Sequence, residues 1–165
     1  MSSGTIYYSV MPSPIGGLLL TSDGECLTRL YMEPHEGRYA IQPDWQRDDA
    51  VLRHVREQLQ AYFAGELHDF GLAFKGEGTA FQKRVWRALC DIPYGETISY
   101  GELARRIGQP TASRAVGLAN GQNPISIIVP CHRVIGANGK LTGYGGGLPR
   151  KQWLLRHEAR DSSLF

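Results

Sequence analysis

A nucleophile, a base and a cation stand side by side in the second half of the chain, where Cys131, His132 and Arg133 follow Pro130. A thiol attacks as a nucleophile only when it is deprotonated, which requires a nearby base or a positive field. An imidazole can act as that base, and a base usually needs a carboxylate to orient it. The stretch therefore holds the residue types for nucleophilic chemistry at sulfur.

The pairing of these side chains stays open at this point. The apolar run 127–129 predicts a buried strand, and adjacent side chains of an extended segment point to opposite faces. A direct Cys131–His132 hydrogen bond is therefore not expected, although a bend at Pro130 or a bridging water would connect them. Spacing does not choose among the carboxylates of this half, which are Asp91, Glu96, Glu102, Glu158 and Asp161. The competing interpretation is a buried, inert cysteine beside a partly exposed histidine.

Two short helices are predicted over residues 99–121, joined by a turn at Gly108. Such a pair can be a DNA-reading helix-turn-helix, but many helical corners share the pattern. The second helix, residues 111–120, is built from small residues and carries one long cation, Arg114. Small residues would allow close approach to a DNA groove, or tight packing against another helix with Arg114 paired to a carboxylate.

The first half of the chain has a different pattern. Residues 5–32 alternate β-branched and aromatic residues with polar ones, and Asp23-Gly24 is a two-residue hairpin signal. Residues 33–48 are predicted as loop, residues 48–66 as an amphipathic helix, and residues 70–74 as one more strand. The pattern predicts an α+β fold, with a small N-terminal α/β domain of antiparallel strands and a mainly helical C-terminal domain that contains the helix-turn-helix.

Composition and charge change at residues 75–79, which places the domain boundary between residues 1–78 and 79–165. The first part has 6 basic and 11 acidic residues, a net charge of −5, and the second has 12 basic and 5 acidic residues, a net charge of +7. Thr79 can cap a helix that starts the second part, and residues 151–159 predict a final amphipathic helix. A basic half beside an acidic half suggests a polyanionic partner, or only an accident of surface charge.

The bulk features exclude several classes of protein. No secretory signal is apparent, and no apolar run approaches the ~20 residues that a membrane helix needs. The three cysteines, Cys26, Cys90 and Cys131, are odd in number and far apart, which favours a reducing, cytoplasmic setting over a disulfide framework. No CxxC or HxxxH spacing is present, so a zinc site is not expected. No other cofactor is expected either.

Four segments together resemble the O6-alkylguanine-DNA alkyltransferases, and they occur in that family's order and spacing. The segments are RAVGLANGQNP (114–124), NPISIIVPCHRVIG (123–136), LTGYGGG (141–147) and RKQWLLRHE (150–158). The resemblance is strong over about residues 79–160 and weaker before that, where SPIG and YFAGE are the matching motifs. The whole chain is similar to a stand-alone bacterial-type member.

The resemblance implies a role for each matching residue. Cys131 would accept the alkyl group, His132 would deprotonate it through a water, and Glu158 would orient and charge His132. Tyr100 would protonate the departing guanine, and Arg114 would enter the duplex where the damaged base was.

Further roles concern DNA and the substrate pocket. The start of the DNA-binding helix would be Thr111, Ala112 and Ser113, and Asn123 would be the hinge between that helix and the cysteine loop. The pocket would include Val134, Tyr144, Gly145 and Gly146. Ser126 and Thr142 depart from residues found in some relatives, which bears on the tolerance of bulky adducts.

The implied function is direct-reversal DNA repair, in which Cys131 takes the alkyl group of O6-alkylguanine, and of O4-alkylthymine, irreversibly and once per molecule. Double-stranded DNA is the expected partner, with no membrane and no obligate protein partner. Two alternatives remain: a non-catalytic or regulatory DNA-binding module, whose known relatives lack the cysteine, and a Cys-His hydrolase. Stoichiometry separates the three, because they predict one alkyl group per protein, none, or many turnovers.

Overall fold

The computed structural model describes residues 4–141, 144 and 146–162. The chain divides into two compact units, Met1–Gly76 and Glu77–Phe165. The predicted α+β class is confirmed. No helix among the described residues combines the length and apolar character that a bilayer crossing requires.

The first unit is a four-stranded sheet with one helix. Its strands are β1 Tyr7–Met11, β2 Leu18–Ser22, β3 Leu27–Met32 and β4 Gln46–Arg47, in the order β3-β2-β1-β4. All five residues of β2, one of the two inner strands, are buried. The helix α1, Arg53–Phe63, buries Val55, Leu59 and Tyr62, which are spaced as one helical stripe.

Several expectations for this unit are wrong in detail. The predicted loop 33–48 contains β4, which pairs with β1 in parallel and not antiparallel. The predicted helix 48–66 starts only at residue 53, because Asp48 accepts a hydrogen bond from Val51 N at 3.0 Å and fixes a turn. Four residues, not two, separate β2 from β3, and of the predicted strand 70–74 only one bridge forms, at Phe74.

The second unit is mainly helical. Its elements are α2 Ala80–Leu89, β5 Ile98–Ser99, α3 Tyr100–Arg106, α4 Ser113–Gly121, β6 Val134–Ile135 and α5 Leu148–Ser162. Thr79 and Gln82 form a reciprocal capping box at the start of α2. The predicted helix-turn-helix is formed by α3 and α4, with Gly108 at a φ of 77° in the turn, which glycine adopts without strain.

Candidate active site

The segment that leads to the cysteine is bent, and the predicted strand over residues 127–129 is wrong. Ile127 has a φ of 72°, and Ile128 N donates a hydrogen bond to Ser126 O at 2.8 Å. The chain therefore reverses within three residues, in a γ-turn. A β-branched residue at positive φ is strained, so the surrounding contacts must hold Ile127 in place.

Asn123 supplies hydrogen bonds to this bent loop. Its amide nitrogen donates to Val129 O at 2.8 Å and to Ile125 O at 3.3 Å, and its amide oxygen accepts from Ile125 N at 3.0 Å. Buried backbone groups need partners, and here one side chain replaces the neighbouring strand. Asn123 thus ties the end of α4 to the loop that carries Cys131.

The three residues Cys131–Arg133 form a 3-10 turn and are almost completely buried. Successive side chains in such a turn are about 120° apart, and not on opposite faces as in a strand. The sequence expectation of an extended segment is therefore wrong here. The turn directs three consecutive side chains into the interior of the same unit.

A buried ion cluster surrounds Glu158 on α5. His132 Nε2 lies 2.7 Å from Glu158 Oε2, and Arg133 donates to the two carboxylate oxygens at 2.8 Å and 3.1 Å. Arg133 Nη1 also donates to Ile92 O at 2.7 Å. Of the carboxylates that spacing left open, Glu158 is the one that meets His132.

The protonation states follow from this arrangement. Burial would by itself raise the pKa of Glu158, but the hydrogen bond of His132, the charge that His132 has when it is protonated, and Arg133 outweigh it and hold that pKa far below the ordinary value. Ionised Glu158 places the proton of His132 on Nε2. His132 Nδ1 has no hydrogen-bond partner among the described residues, so its lone pair is available to accept a proton.

The neutral form of His132 is favoured at rest, and the charge that Glu158 is predicted to give His132 stays a prediction. Burial lowers the pKa of His132, Glu158 raises it, and the charges of Arg133 and Lys151 lower it again, with a net decrease. Arg133 neutralises much of the Glu158 charge that would otherwise stabilise an imidazolium. The pair of Glu158 and His132 therefore presents an oriented base and not a preformed cation.

Cys131 is correspondingly a thiol at rest. Burial raises the pKa of Cys131, and a hydrogen bond from Asn123 and the positive charge of Lys151 offset this only in part. Proton transfer from Cys131 to a neutral base must therefore accompany its attack on a substrate. Both groups are uncharged before the reaction, which suits a dry site.

Lys151 is a fully buried cation that sequence analysis did not assign to the site. Its ammonium donates to Val134 O at 2.7 Å and lies 6.0 Å from the centre of the Tyr100 ring. Burial lowers the pKa of Lys151, whereas the negative charge of a Cys131 thiolate raises it. The cation is therefore placed to stabilise negative charge on the cysteine sulfur.

The predicted pocket residues lie at different points of this unit. Val134 is fully buried and accepts the Lys151 bond, and the Tyr144 hydroxyl is buried. Burial, followed by the charge of a Cys131 thiolate, raises the pKa of Tyr144 well above its ordinary value, so the phenol keeps its proton. Gly146 O accepts a bond from Arg150 at 3.4 Å. Gly145 and Thr142 lie outside the described residues.

The predicted DNA-binding residues lie around the start of α4. Thr111 and Arg114 are exposed, whereas Ala112, at the N-cap, and Ser113, the first helical residue, are half-buried. The predicted start of this helix at residue 111 is thus two residues early. Tyr100, at the start of α3, packs its ring against Gly117 of α4. The structure thereby places the predicted proton donor between the two helices of the helix-turn-helix.

Two buried polar residues, Asn120 and Lys151, were missed in the sequence, and Arg133 was noticed there but given no role. For Lys151 a signal existed, because Lys151, Leu154 and Glu158 have the spacing of one helical face. Asn120 stands among the small residues of α4 and donates to Cys131 O at 3.4 Å. No pattern in the sequence distinguishes it from a surface asparagine.

Comparison with known proteins gives the class to which this architecture belongs. Residues 80–160 match the family described as "6-O-methylguanine DNA methyltransferase, DNA binding domain", and residues 6–75 match its "ribonuclease-like domain". These ranges include the helix-turn-helix, Cys131 and Glu158. The chain belongs to the 6-O-methylguanine DNA methyltransferase family.

Individual relatives match over nearly their whole length. The methylated-DNA–protein-cysteine methyltransferase of Mycobacterium tuberculosis is 56% identical over 165 residues, covering 97% of this chain and 99% of the relative. That of Methanosarcina acetivorans is 54% identical over 153 residues, covering 93% and 98%. A crystal structure of Mycobacterium tuberculosis OGT in complex with DNA has a TM-score of 0.88 at 55% identity and covers 94% of each chain.

Proposed function

We propose that this protein repairs DNA by direct reversal: it moves the alkyl group of O6-alkylguanine, or of O4-alkylthymine, to Cys131, irreversibly and once per molecule. The observation that carries the proposal is a buried hydrogen-bonded pair, in which His132 Nε2 lies 2.7 Å from Glu158 Oε2. His132 directly follows the buried Cys131 in the chain. Membership of the family and the relative solved with DNA support it. Residues 79–165 would contain both the DNA-binding and the alkyl-transfer machinery.

The chemical step is a displacement at saturated carbon. The proton of Cys131 passes to His132 Nδ1, directly or through a water, and the sulfur forms a bond to the alkyl carbon as the carbon–O6 bond breaks. The bonding pair leaves with the guanine, which takes a proton from the Tyr100 hydroxyl. The proton on His132 then restores that hydroxyl. The protein keeps a thioether, which lies outside the reversible part of cysteine chemistry.

Lys151 and Glu158 assist this step by stabilising different charges. The Lys151 charge favours the thiolate and lies near the Tyr100 ring, where negative charge develops when the hydroxyl gives up its proton. Glu158 stabilises the imidazolium that forms on His132. Both contributions grow as charge develops, so they favour the transition state over the resting pair.

The alkylated base must leave the stacked duplex to reach a buried sulfur, which costs a few kcal/mol. Arg114 is exposed on the small-residue helix α4, and no ion pair involves it among the described residues. It is therefore available to fill the gap left by the flipped base. Thr111, Ala112 and Ser113 would lie close to the same groove, since their small side chains allow close approach.

The role of Arg114 is tested by comparing duplex and free-base substrates. Arg114→Ala should slow transfer from O6-methylguanine in duplex DNA strongly, while reaction with the free base should hardly change, since no flipping is needed. A phosphate contact would instead weaken binding to all DNA and reduce the salt dependence by about one unit. Equal slowing on both substrates would make Arg114 a packing residue.

The function itself is tested by intact-mass analysis after incubation with duplex O6-methylguanine DNA. The protein should gain one methyl group, on Cys131, and Cys131→Ser should gain none. Cys26→Ser and Cys90→Ser are the matched controls and should react like the wild type. A methyl group on another cysteine, or repeated turnover, would contradict the proposal. The three free cysteines fit a reducing, cytoplasmic setting.

A further inference from the structure

The exposed face of α2 carries three cations without counter-charges. The helix buries Val85, Trp86 and Leu89 and leaves Lys83, Arg84 and Arg87 exposed on the other side. None of the three forms an ion pair with a residue that the structure describes. The second half of the chain has a net charge of +7, and these side chains are a compact part of it.

This arrangement is unfavourable for an isolated helix. Lys83 and Arg87 are four residues apart and Arg84 and Arg87 are three apart, so like charges are neighbours on the helix surface. The first turn of α2 contains no acidic residue that would interact with the helix dipole or with the cations that follow. Local electrostatics thus opposes the folded state here, and such conflicts concentrate at functional surfaces.

The neighbouring helix α3 shows the opposite arrangement. Glu102 lies in its first turn, and Arg105 and Arg106 in its last turn both pair with that glutamate. The same unit therefore contains a helix whose cations share an internal counter-charge, α3, and one whose cations have none, α2. The cations of α2 remain available for an external anion.

Hydrogen bonds fix α2 against the helix that is proposed to read DNA. Trp86 Nε1 donates to Ala119 O at 2.8 Å, and Gln82 Nε2 donates to Gln122 Oε1 at 2.7 Å at the end of α4. Lys83 and Arg87 directly follow these two anchored residues of α2. The cations are therefore held at a fixed distance from the carboxyl-terminal end of α4.

We propose that Lys83, Arg84 and Arg87 bind backbone phosphates of the duplex on which α4 is seated. The proposal rests on the function proposed above. Regularly spaced cations on a rigid helix suit the regularly spaced phosphates of a DNA strand, and such contacts position a protein without reading sequence. These three cations, here called the phosphate strip, would extend the contact of the protein with DNA beyond the damaged base pair. They would also hold the duplex while the base is outside the stack.

The test is the salt dependence of binding to undamaged duplex DNA. The triple variant Lys83→Gln, Arg84→Gln, Arg87→Gln should reduce the slope of log affinity against log salt by about 2–3 units, since each phosphate contact contributes about 0.9. A matched control removes three exposed cations of the first unit, by Arg47→Gln, Arg53→Gln and Lys75→Gln. The control changes the net charge equally and should leave the slope near the wild-type value.

Two further measurements separate the possible outcomes. The exchange Lys83→Arg, Arg84→Lys, Arg87→Lys preserves charge and should preserve the slope. The glutamine triple variant should still react with free O6-methylguanine at the wild-type rate, because its site is intact. An unchanged slope, or equal changes in both triple variants, would overturn the phosphate strip. A wild type that accepts no methyl group would instead overturn the proposed function.

Discussion

Glu102 and Glu158 each bind two basic side chains, but one cluster lies at the surface and the other in the interior. Glu102 pairs with Arg105 and Arg106 along α3, with side chains 35–62% exposed. Glu158 pairs with His132 and Arg133, with side chains 0–6% exposed. The residue types are nearly the same, so the main difference between the clusters is how far their side chains are exposed to solvent.

Water determines what each cluster can do. At the surface, solvent and salt screen the charges, and such pairs contribute little to stability. In the interior, each charge depends on its partners, and removing one leaves the others buried and uncompensated. The interior cluster can therefore shift pKa values and orient a base, whereas the surface cluster mainly completes the helix.

The largest expected contrast comes from the matched pair Glu158→Gln and Glu102→Gln. Glu158→Gln should lower the single-turnover rate of methyl transfer by about 10²–10⁴-fold, the usual contribution of acid–base catalysis. It should also reduce the free energy of unfolding by about 3–5 kcal/mol, because Arg133 loses its partner. Glu102→Gln should change neither quantity measurably. Rapid-quench kinetics and urea denaturation check this, and similar losses in both variants would contradict the distinction.

A smaller effect is expected when only the shape of the cation changes. Arg133→Lys keeps the charge but cannot reach both Glu158 oxygens and Ile92 O together, so a buried acceptor loses its partner at a cost of about 1–3 kcal/mol. Arg105→Lys, at a solvent-exposed residue, should not change the free energy of unfolding measurably. Urea denaturation of the two variants provides the comparison. Equal stability of Arg133→Lys and the wild type would show that the planar guanidinium, with its several donors, is unimportant at this position.

The buried cation beside the sulfur can be compared with an exposed one. Lys151→Met should raise the pKa of Cys131 and displace the rate–pH profile of methyl transfer to higher pH, with a loss of about tenfold at neutral pH for each unit of displacement. Lys140→Met, on an exposed residue, should leave the profile in place. A uniform loss at every pH would indicate a purely structural role for Lys151.

The smallest effect is a pH dependence of stability due to His132. Its folded pKa lies below the unfolded value of about 6.5, so the unfolded chain binds the proton first. The stabilisation is present above pH ~6.5 and is lost as the pH falls, at up to about 1.4 kcal/mol per pH unit. Glu158, whose folded pKa is also lowered, adds a loss in the same direction below about pH 4.3.

His132→Gln should remove the first of these two losses. The measurement is the free energy of unfolding between pH 8 and pH 5, and the wild type should lose more stability over this range than the variant does. His54→Gln is the control, since His54 is an exposed histidine that pairs with Glu57 at 3.7 Å. A wild type and a His132→Gln variant with parallel pH curves would contradict a depressed pKa at His132.

The sequence predicted those parts of the fold that depend on periodicity. The stripes of α1 and α2, the Thr79 cap and the helix-turn-helix follow from local pattern, and the structure contains them. The loop before Cys131 could not be predicted in this way. Its apolar run has the composition of a strand, but its hydrogen-bond partner is the Asn123 side chain and not another strand.

The chemistry of the site was predictable in kind but not in its charge states. The motif around Cys131 indicates a nucleophile and a base, and Glu158 follows only through the family resemblance, because spacing left five carboxylates open. The neutral resting state of His132 depends on Arg133 sharing Glu158 and on Lys151 being nearby. Contacts between residues that are far apart in the chain produce no periodic pattern in the sequence, so they could not be predicted from it.

The burial of Cys131 also bears on how long the protein keeps its activity in a cell under chemical stress. Peroxides and small electrophiles react with thiolates that are open to solvent, and Cys131 is 5% exposed with a raised pKa, whereas Cys90 is an exposed residue. Diffusing reagents therefore meet the site chiefly as an unreactive thiol. Because the protein can react only once, burial of Cys131 preserves it for the alkylated base that enters the pocket.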